Sequence, residues 1–98
     1  MYRVQYSIEC KEEIRELRAY ITNQRSRQIA NAYIKRLRRF CEGFAMAPHR
    51  GEVRTDLKEG LRTIGFEHRI SIVFRVYDDQ QLVRITGIRY AGRSFEQT

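Results

Sequence analysis

The run from Arg69 to Tyr77, RISIVFRVY, places the narrowest limit on how this chain can fold. Ile70, Ile72, Phe74 and Val76 lie at every second position, which is the two-residue period of a β-strand with one buried face. The turn Asp78-Asp79-Gln80, followed by Gln81, separates it from a second run, LVRITGIRY, between Leu82 and Tyr90. The two runs together predict a β-hairpin.

The outward side of the first of these strands is predicted to carry arginine. Arg69, Ser71 and Arg75 occupy the positions between the apolar ones. Arginine at such positions either keeps a sheet face soluble or meets an anionic partner. The choice between these two roles is the main functional question that the sequence raises.

Two amphipathic helices are predicted before the hairpin. Ser7 is typical of a helix cap, and an apolar stripe after it predicts a helix over about residues 8–22. Ser26 is expected to cap a second helix, over about residues 27–44, and both stripes are expected to lie in the core. The predicted stripe residues are Cys10, Ile14, Leu17, Tyr20 and Ile21 in the first helix, and Ile29, Tyr33, Leu37, Phe40 and Phe44, widened by Ala30, Ile34 and Cys41, in the second.

The remaining segments complete a small α+β fold. Residues 2–6 and 61–66 alternate as strands, and residues 47–60 are expected to form a loop or a single helical turn. The resulting order, β-α-α-β-β-β, predicts a helical hairpin on one face of a mostly antiparallel sheet, as a single domain over residues 1–98. The other face is left to solvent or to a partner. The tail at residues 91–98 is expected to be loose or packed across an edge.

The net charge of +7 is concentrated in one segment. Between Leu17 and Cys41 there are seven basic residues and no acidic one, whereas basic and acidic residues cancel in the rest of the chain. A block of this kind attracts anions over roughly 8–10 Å. It favours a nucleic acid or an acidic protein as partner, unless it is only a solvated helix face. The seven residues are Arg18, Arg25, Arg27, Lys35, Arg36, Arg38 and Arg39.

The sequence gives no sign of a membrane span, a metal site or a cofactor. It has no run of eighteen apolar residues, and its start, MYRVQYS, does not have a signal-peptide pattern, so we expect a cytoplasmic protein. Cys10 and Cys41 lack metal-ligand spacing, and we expect small buried residues rather than redox or metal-binding groups. His49 and His68 are isolated in the sequence.

No catalytic signature stands out. The chain has no glycine-rich phosphate loop and no Ser/His/Asp or Cys/His pattern. A metal-independent ribonuclease needs a base, a cation and an acid aimed at one phosphate. His68, Tyr77 and Tyr90 are the candidates, but a loop position for His68 and a packing role for Tyr90 are the simpler interpretations. We therefore assign no catalytic residue.

An ordered set of short motifs resembles the RelE/ParE superfamily of bacterial toxins. The set covers nearly the whole chain and fits its length, basic charge and element order. The resemblance implies the toxin of a type II toxin–antitoxin pair, masked by a small antitoxin that folds around it. RelE-like members are ribosome-dependent endoribonucleases that cut mRNA, whereas ParE-like members poison DNA gyrase. The motifs are Pro48-x-x-Gly51, Leu57-x-x-Gly60-Leu61-Arg62, RISIVFRV and VRITGIRYAGR.

The residues of the RelE-like nucleases are not matched. Those nucleases carry an arginine just before the segment that matches Ile72-Val73-Phe74, where this chain has Ser71. Placed without gaps, Ala91 and Gln97 stand at the positions of their later arginine and their C-terminal tyrosine. A shifted alignment offers Arg89 or Arg93 for the arginine but Phe95 for the tyrosine, and phenylalanine has no hydroxyl with which to transfer a proton.

The ParE branch fits better. GLR in the loop and FRV in the hairpin look more like ParE, and Arg93 matches a basic residue often found after its last strand. A departure from the pattern is Tyr90, where ParE usually has histidine.

We therefore expect a ParE-like toxin that inhibits DNA gyrase by binding and is neutralised by a ParD-like antitoxin, with acidic residues complementing the basic block. A RelE-like mRNA endoribonuclease and a degenerate member that only binds its antitoxin are the alternatives, and direct nucleic-acid binding is left open. The expected partner-binding residues are Arg69, Arg75, Arg89, Tyr90 and Arg93.

Overall fold

The computed structural model describes residues 1–57 and 60–90, which form a five-stranded sheet with two helices on one face. The strands lie in the order β1-β5-β4-β3-β2, with β1 parallel to β5 and the other pairs antiparallel. This confirms the predicted α+β fold. The elements are β1 (Arg3–Tyr6), α1 (Ile8–Gln24), α2 (Arg27–Glu42), β2 (Glu52–Val53), β3 (Leu61–Phe66), β4 (Ile70–Tyr77) and β5 (Leu82–Tyr90), with 3₁₀ turns at Gly43–Ala45 and Asp78–Gln80.

Both predicted helix caps are confirmed. The Oγ of Ser7 accepts the Cys10 N–H at 3.0 Å, and the Oγ of Ser26 accepts the Ile29 N–H at 3.1 Å. Each bond satisfies one of the free N–H groups that a helix leaves in its first turn. The second helix ends at Glu42 and continues as the 3₁₀ turn, so its predicted end was two residues too late.

The buried stripe of α2 lies about one residue away from its predicted centre. Ala30, Ile34 and Leu37 are buried, whereas Ile29 is 49% exposed. Successive residues on a helix are separated by about 100°, so Ile29, five residues before Ile34, lies roughly 140° from it around the helix axis and outside the buried stripe. Cys41 is also buried, and its burial raises the pKa of its thiol to about 11.

A bulge in β5 keeps the core continuous along the hairpin. The pairing of β4 with β5 changes register between Val73 and Phe74, leaving Thr86 as an additional residue on β5. Ile85 before the bulge and Ile88 after it are both buried against the helices. Without the extra residue, two positions three apart in a strand would face opposite sides of the sheet.

Two details of the sheet, the strand β2 and the position of Arg69, differ from the prediction. The two-residue strand β2 was not predicted, because two residues are too short to show a period. Arg69 was predicted on the outward side of the strand, but it lies in the turn before β4. The prediction for the tail at residues 91–98 lies outside the described residues. Within the part that is described, no helix is long and apolar enough to cross a membrane.

Candidate functional site

The side of the sheet away from the helices forms a surface that we call the open face. Because directly paired residues of neighbouring strands share a face, the register determines which side chains belong to it. Its described side chains are Arg3 and Gln5 of β1, Leu82, Arg84 and Arg89 of β5, Ser71, Val73, Arg75 and Tyr77 of β4, Leu61 and Thr63 of β3, and Glu52 of β2.

Two arginines lie directly opposite each other at the middle of the open face. Arg75 of β4 pairs with Arg84 of β5, and both are half-buried. The guanidinium of Arg75 lies over Gly60, where a Cβ would come within 2.9 Å of its Nη1 atom. The Nη1 of Arg84 has the Gln5 amide oxygen at 3.4 Å. Within the described residues, neither guanidinium has an acidic partner.

Arg89 lies at the far end of the open face and is held in place by α1. Its Nη1 donates to Oε2 of Glu13 at 3.2 Å and to its neighbour's carbonyl, that of Ile88, at 2.9 Å. The other oxygen of Glu13 accepts the Ile88 N–H at 2.8 Å. β1 pairs with β5 only as far as Ile85, so Glu13 caps a stretch of strand edge that β1 leaves uncovered.

Arg69 belongs to a different surface, on the helix side of the molecule. A cavity of about 510 Å³, which we call the helix-end groove, lies between the end of α1, the start of α2 and the β3–β4 turn. Arg25, Arg36 and Arg69 supply its positive charge, and an apolar floor lies beneath them. The lining residues on that floor are Leu17, Tyr20, Ile21, Ile29, Tyr33, Ile70 and Tyr90.

The groove contains one buried polar atom without a partner. The hydroxyl of Tyr33 is buried and has no hydrogen bond to the described residues. Beside it, the guanidinium of Arg36 binds both carboxylate oxygens of Glu67, at 2.8 and 3.0 Å. These hydrogen bonds lower the pKa of Glu67 and fix the β3–β4 turn to α2. Arg25 and Arg69 are therefore left as cations without a described ion pair.

Tyr90 is part of the core rather than of the open face. It is 5% exposed, and its ring centroid lies 5.7 Å from that of Tyr20 on α1. The five predicted partner-binding residues therefore do not form one surface. Arg75 and Arg89 share the open face, Arg69 and Tyr90 line the helix-end groove, and Arg93 lies outside the described residues.

The sequence analysis missed a cluster at the opposite end of the sheet. Oδ1 of Asp78 accepts the Tyr2 hydroxyl at 2.6 Å and lies 2.7 Å from Nε2 of His49. These two hydrogen bonds lower the pKa of Asp78. His49 is isolated in the sequence, and the fold brings it to Asp78 and Tyr2. No local signal could have found the cluster, because its members come from three distant segments.

The candidate proton-transfer groups do not converge. His68 lies in the β3–β4 turn, whereas Tyr77 lies at the other end of β4, roughly 25 Å along an eight-residue strand. Tyr90 is buried on the opposite face from Tyr77. The described residues also contain no group of three side chains suited to holding a metal ion.

Solved structures of toxin–antitoxin proteins share this architecture. A chain of the chromosomal ParDE system from P. aeruginosa superimposes with a TM-score of 0.79 at 15% identity, covering 92% of this chain and 96% of that one. The isolated RelE toxin of E. coli gives 0.67 at 15% identity, covering 99% and 92%. The RelBE2 complex of Mycobacterium tuberculosis gives 0.64 at 14% identity, covering 91% and 90%. At these identities, the matches define the fold class.

The family follows from the sequence itself. Residues 2–95 match the family model described as the ParE toxin of the type II toxin–antitoxin system parDE. The chain therefore belongs to the ParE toxin family, within the RelE/ParE superfamily of type II toxins. A search of curated proteins found no significant match.

Proposed function

We propose that this toxin inhibits DNA gyrase by binding to it, without chemistry of its own, and that a ParD-like antitoxin neutralises it. The observation that carries the proposal is the composition of the open face. Its described side chains include four arginines, whereas Tyr77 and Glu52 are its only groups suited to proton transfer. Such a surface binds anionic groups well and is poorly equipped for acid–base chemistry. The action on gyrase would place the protein in the cytoplasm.

The position of Ser71 supports binding over nuclease activity. In the resemblance to RelE-like nucleases this position carries an arginine, which would stabilise the charge on a phosphorane. Here Ser71 lies between Gly65 of β3 and Arg89 of β5, and the Arg89 guanidinium is already bound by Glu13. These three paired residues therefore offer one cation, which Glu13 already binds, and no general acid or base.

Two parallel assays test the proposed activity. The purified toxin is incubated with gyrase and supercoiled plasmid, and separately with ribosomes translating a defined mRNA. We expect loss of supercoiling activity or accumulation of cleaved DNA in the first assay and intact mRNA in the second. Cleaved mRNA without an effect on gyrase would contradict the proposal and support a RelE-like endoribonuclease. A toxin that arrests neither reaction nor growth would be a degenerate member that only binds its antitoxin.

The helix-end groove is the surface that we assign to the antitoxin. An apolar floor and the cations Arg25 and Arg69 suit a segment that carries both apolar side chains and carboxylates. The groove also joins the basic block on the outer faces of α1 and α2, whose seven basic residues are all exposed. These exposed cations support the proposal that an acidic antitoxin complements the basic block.

Substitutions in the groove test this assignment with the antitoxin of the same operon. Arg25→Gln removes one of the two groove cations without a described ion pair and should weaken the affinity for the antitoxin by about three- to tenfold. Arg69→Gln should weaken it by a similar factor. Thr22→Val, outside the groove, is the matched control. Unchanged affinity in both groove variants would move the antitoxin to another surface and leave the gyrase proposal untouched.

A further inference from the structure

The cross-strand pair of Arg75 and Arg84 breaks a rule of sheet stability. Like charges directly opposite each other on one face are destabilising. The described surroundings do not relieve the repulsion, because the only acidic residue on the open face, Glu52, lies two strands away from Arg75 on β2. Arg84 was not singled out in the sequence, since a single arginine in LVRITGIRY is unremarkable until its register partner is known.

We propose that Arg75 and Arg84 form a receptor for one carboxylate of a protein partner. Directly opposite residues have Cβ atoms about 4.5–5.5 Å apart, so two guanidinium groups can each donate to one oxygen of the same carboxylate. In the free protein the two guanidinium groups turn apart, that of Arg75 towards Gly60 next to β3 and that of Arg84 towards Gln5 on β1, as repulsion between like charges requires. A bound carboxylate would draw both of them inward. A bound anion removes the repulsion between the two cations, so the pair gains more from an anion than either arginine alone.

The surroundings of the pair favour a protein carboxylate over a nucleic-acid phosphate. Leu61 of β3 is paired with Arg75 on its other side, and Tyr77 and Leu82 form the next cross-strand pair on the same face. Apolar side chains on two sides suit an amphipathic acidic segment. A nucleic-acid strand instead needs a continuous track of cations or several aromatic stacking platforms. Tyr77 is the only aromatic residue among the described side chains of the open face, and the next cation along β5, Arg89, is bound by Glu13.

This proposal rests on the proposed function in one respect, because it takes gyrase as the protein that presents the carboxylate. The receptor itself is tested on the isolated toxin, with a capped tetraglutamate peptide as the carboxylate probe and a short DNA duplex as the phosphate probe. NMR of the arginine Nε–Hε groups reports each guanidinium separately. This resolution is needed because the basic helices also attract acidic peptides.

The expected result is that the Arg75 and Arg84 signals shift together with tetraglutamate and share one apparent affinity. Arg84→Gln should weaken the affinity read at Arg75 by about tenfold. Arg84→Lys keeps the charge but loses the planar guanidinium. Its affinity for tetraglutamate, read at Arg75, should lie between those of the parent protein and Arg84→Gln. Lys11→Gln removes an equal charge from an exposed site on α1, outside the basic block, and should leave the Arg75 response unchanged.

Two results would overturn the receptor. One is an Arg75 response that is the same in Arg84→Gln as in the parent protein. The other is a shared response to the DNA duplex at lower concentration than to tetraglutamate, which would make the pair a phosphate site. The link to gyrase is judged separately, because Arg84→Gln should then also weaken gyrase inhibition. An intact receptor with unchanged inhibition would exclude gyrase as its source of the carboxylate.

Discussion

At the scale of single residues, the arginine pair on the open face is expected to lower the stability of the free protein and to strengthen its binding to a partner. Natural sequences break local rules mainly where function requires it, and cross-strand pairing of like charges is such a break. Arg75 and Arg84 are therefore expected to respond in opposite directions in two measurements. Removing one of them should help the free protein and harm its complex.

The stability side of this trade-off can be measured without any partner. Arg84→Gln should raise the free energy of unfolding by roughly 0.2–1 kcal/mol, because it removes a like-charge pair. Urea denaturation of the parent and the variant in the same low-salt buffer gives the difference. Arg39→Gln, on the exposed side of α2, should change it by no more than about 0.5 kcal/mol. A less stable Arg84→Gln protein would show that Arg84 holds the sheet together instead.

Glu13 is a second residue whose role depends on its partners rather than on its type. Its carboxylate caps the Ile88 N–H and binds Arg89, and its side chain is 30% exposed. Glu13→Ala should lower the free energy of unfolding by about 1–3 kcal/mol, because the strand-edge N–H is left without its acceptor. Glu13→Gln should cost less, since an amide oxygen can still accept that N–H.

Thermal or urea unfolding of these variants distinguishes a cap from an ordinary surface residue. Glu12→Ala is the control, because Glu12 is exposed and pairs only with the equally exposed Arg15. Equal losses from Glu12→Ala and Glu13→Ala would mean that the bond to Ile88 adds nothing measurable to stability.

At the scale of elements, the sequence predicted what depends on neighbours along the chain. Caps at Ser7 and Ser26, two apolar stripes and the alternation in β4 are local patterns, and they placed both helices and the hairpin within two residues. The bulge at Thr86 and the strand β2 depend on pairing across strands, which no single-strand pattern contains. For the same reason, the sequence could not show that Arg69 lies in a turn beside α2.

Asp78 joins three elements through one carboxylate, which gives the fold a local dependence on pH. It binds Tyr2 before β1 and His49 in the loop after α2, and it lies itself in the β4–β5 turn. Hydrogen bonds from these partners lower the pKa of Asp78 below its ordinary value of 3.8. A carboxyl whose pKa is lower in the folded state stabilises the fold above its unfolded pKa, and the contribution is lost as the pH falls through the folded value.

Asp78→Asn should therefore flatten the acid limb of the stability profile. The measurement is the urea midpoint from about pH 6 down to about pH 2, since an unperturbed aspartate titrates near 3.9. The parent should lose more stability over this range than the variant. Asp79→Asn, in the same exposed turn, serves as the control and should follow the parent. Parallel profiles for the parent and Asp78→Asn would show that the hydrogen bonds to Asp78 are too weak to matter in solution.

At the scale of the whole molecule, the protein presents two positively charged surfaces on opposite sides of the sheet. The basic block between Leu17 and Cys41 was predicted from charge counting alone, and its residues are all exposed on the helical side. The open face was predicted from the alternation in β4, which correctly placed Arg75. What could not be predicted is the division of residues between the two surfaces, because Tyr90 and Arg69 take their side from tertiary packing.

With the antitoxin in the groove as proposed, we expect the basic block to have a kinetic role that differs from the role of the groove. Long-range attraction between a basic surface and an acidic antitoxin speeds encounter, whereas close contacts mainly set how slowly the complex dissociates. A variant with Arg18, Lys35 and Arg39 changed to glutamine should associate with the antitoxin about tenfold more slowly at low salt. Its dissociation rate should stay close to that of the parent, because these exposed side chains lie outside the groove.

Stopped-flow association at increasing ionic strength provides the check. The parent and the variant should converge as salt shortens the screening length from about 10 Å at 0.1 M to about 3 Å at 1 M. A second variant with Arg3, Lys11 and Arg15 changed to glutamine loses the same charge outside the block and should associate nearly as fast as the parent. If both variants slow association equally, net charge alone steers the antitoxin, and the placement of seven basic residues on the helices has no kinetic role.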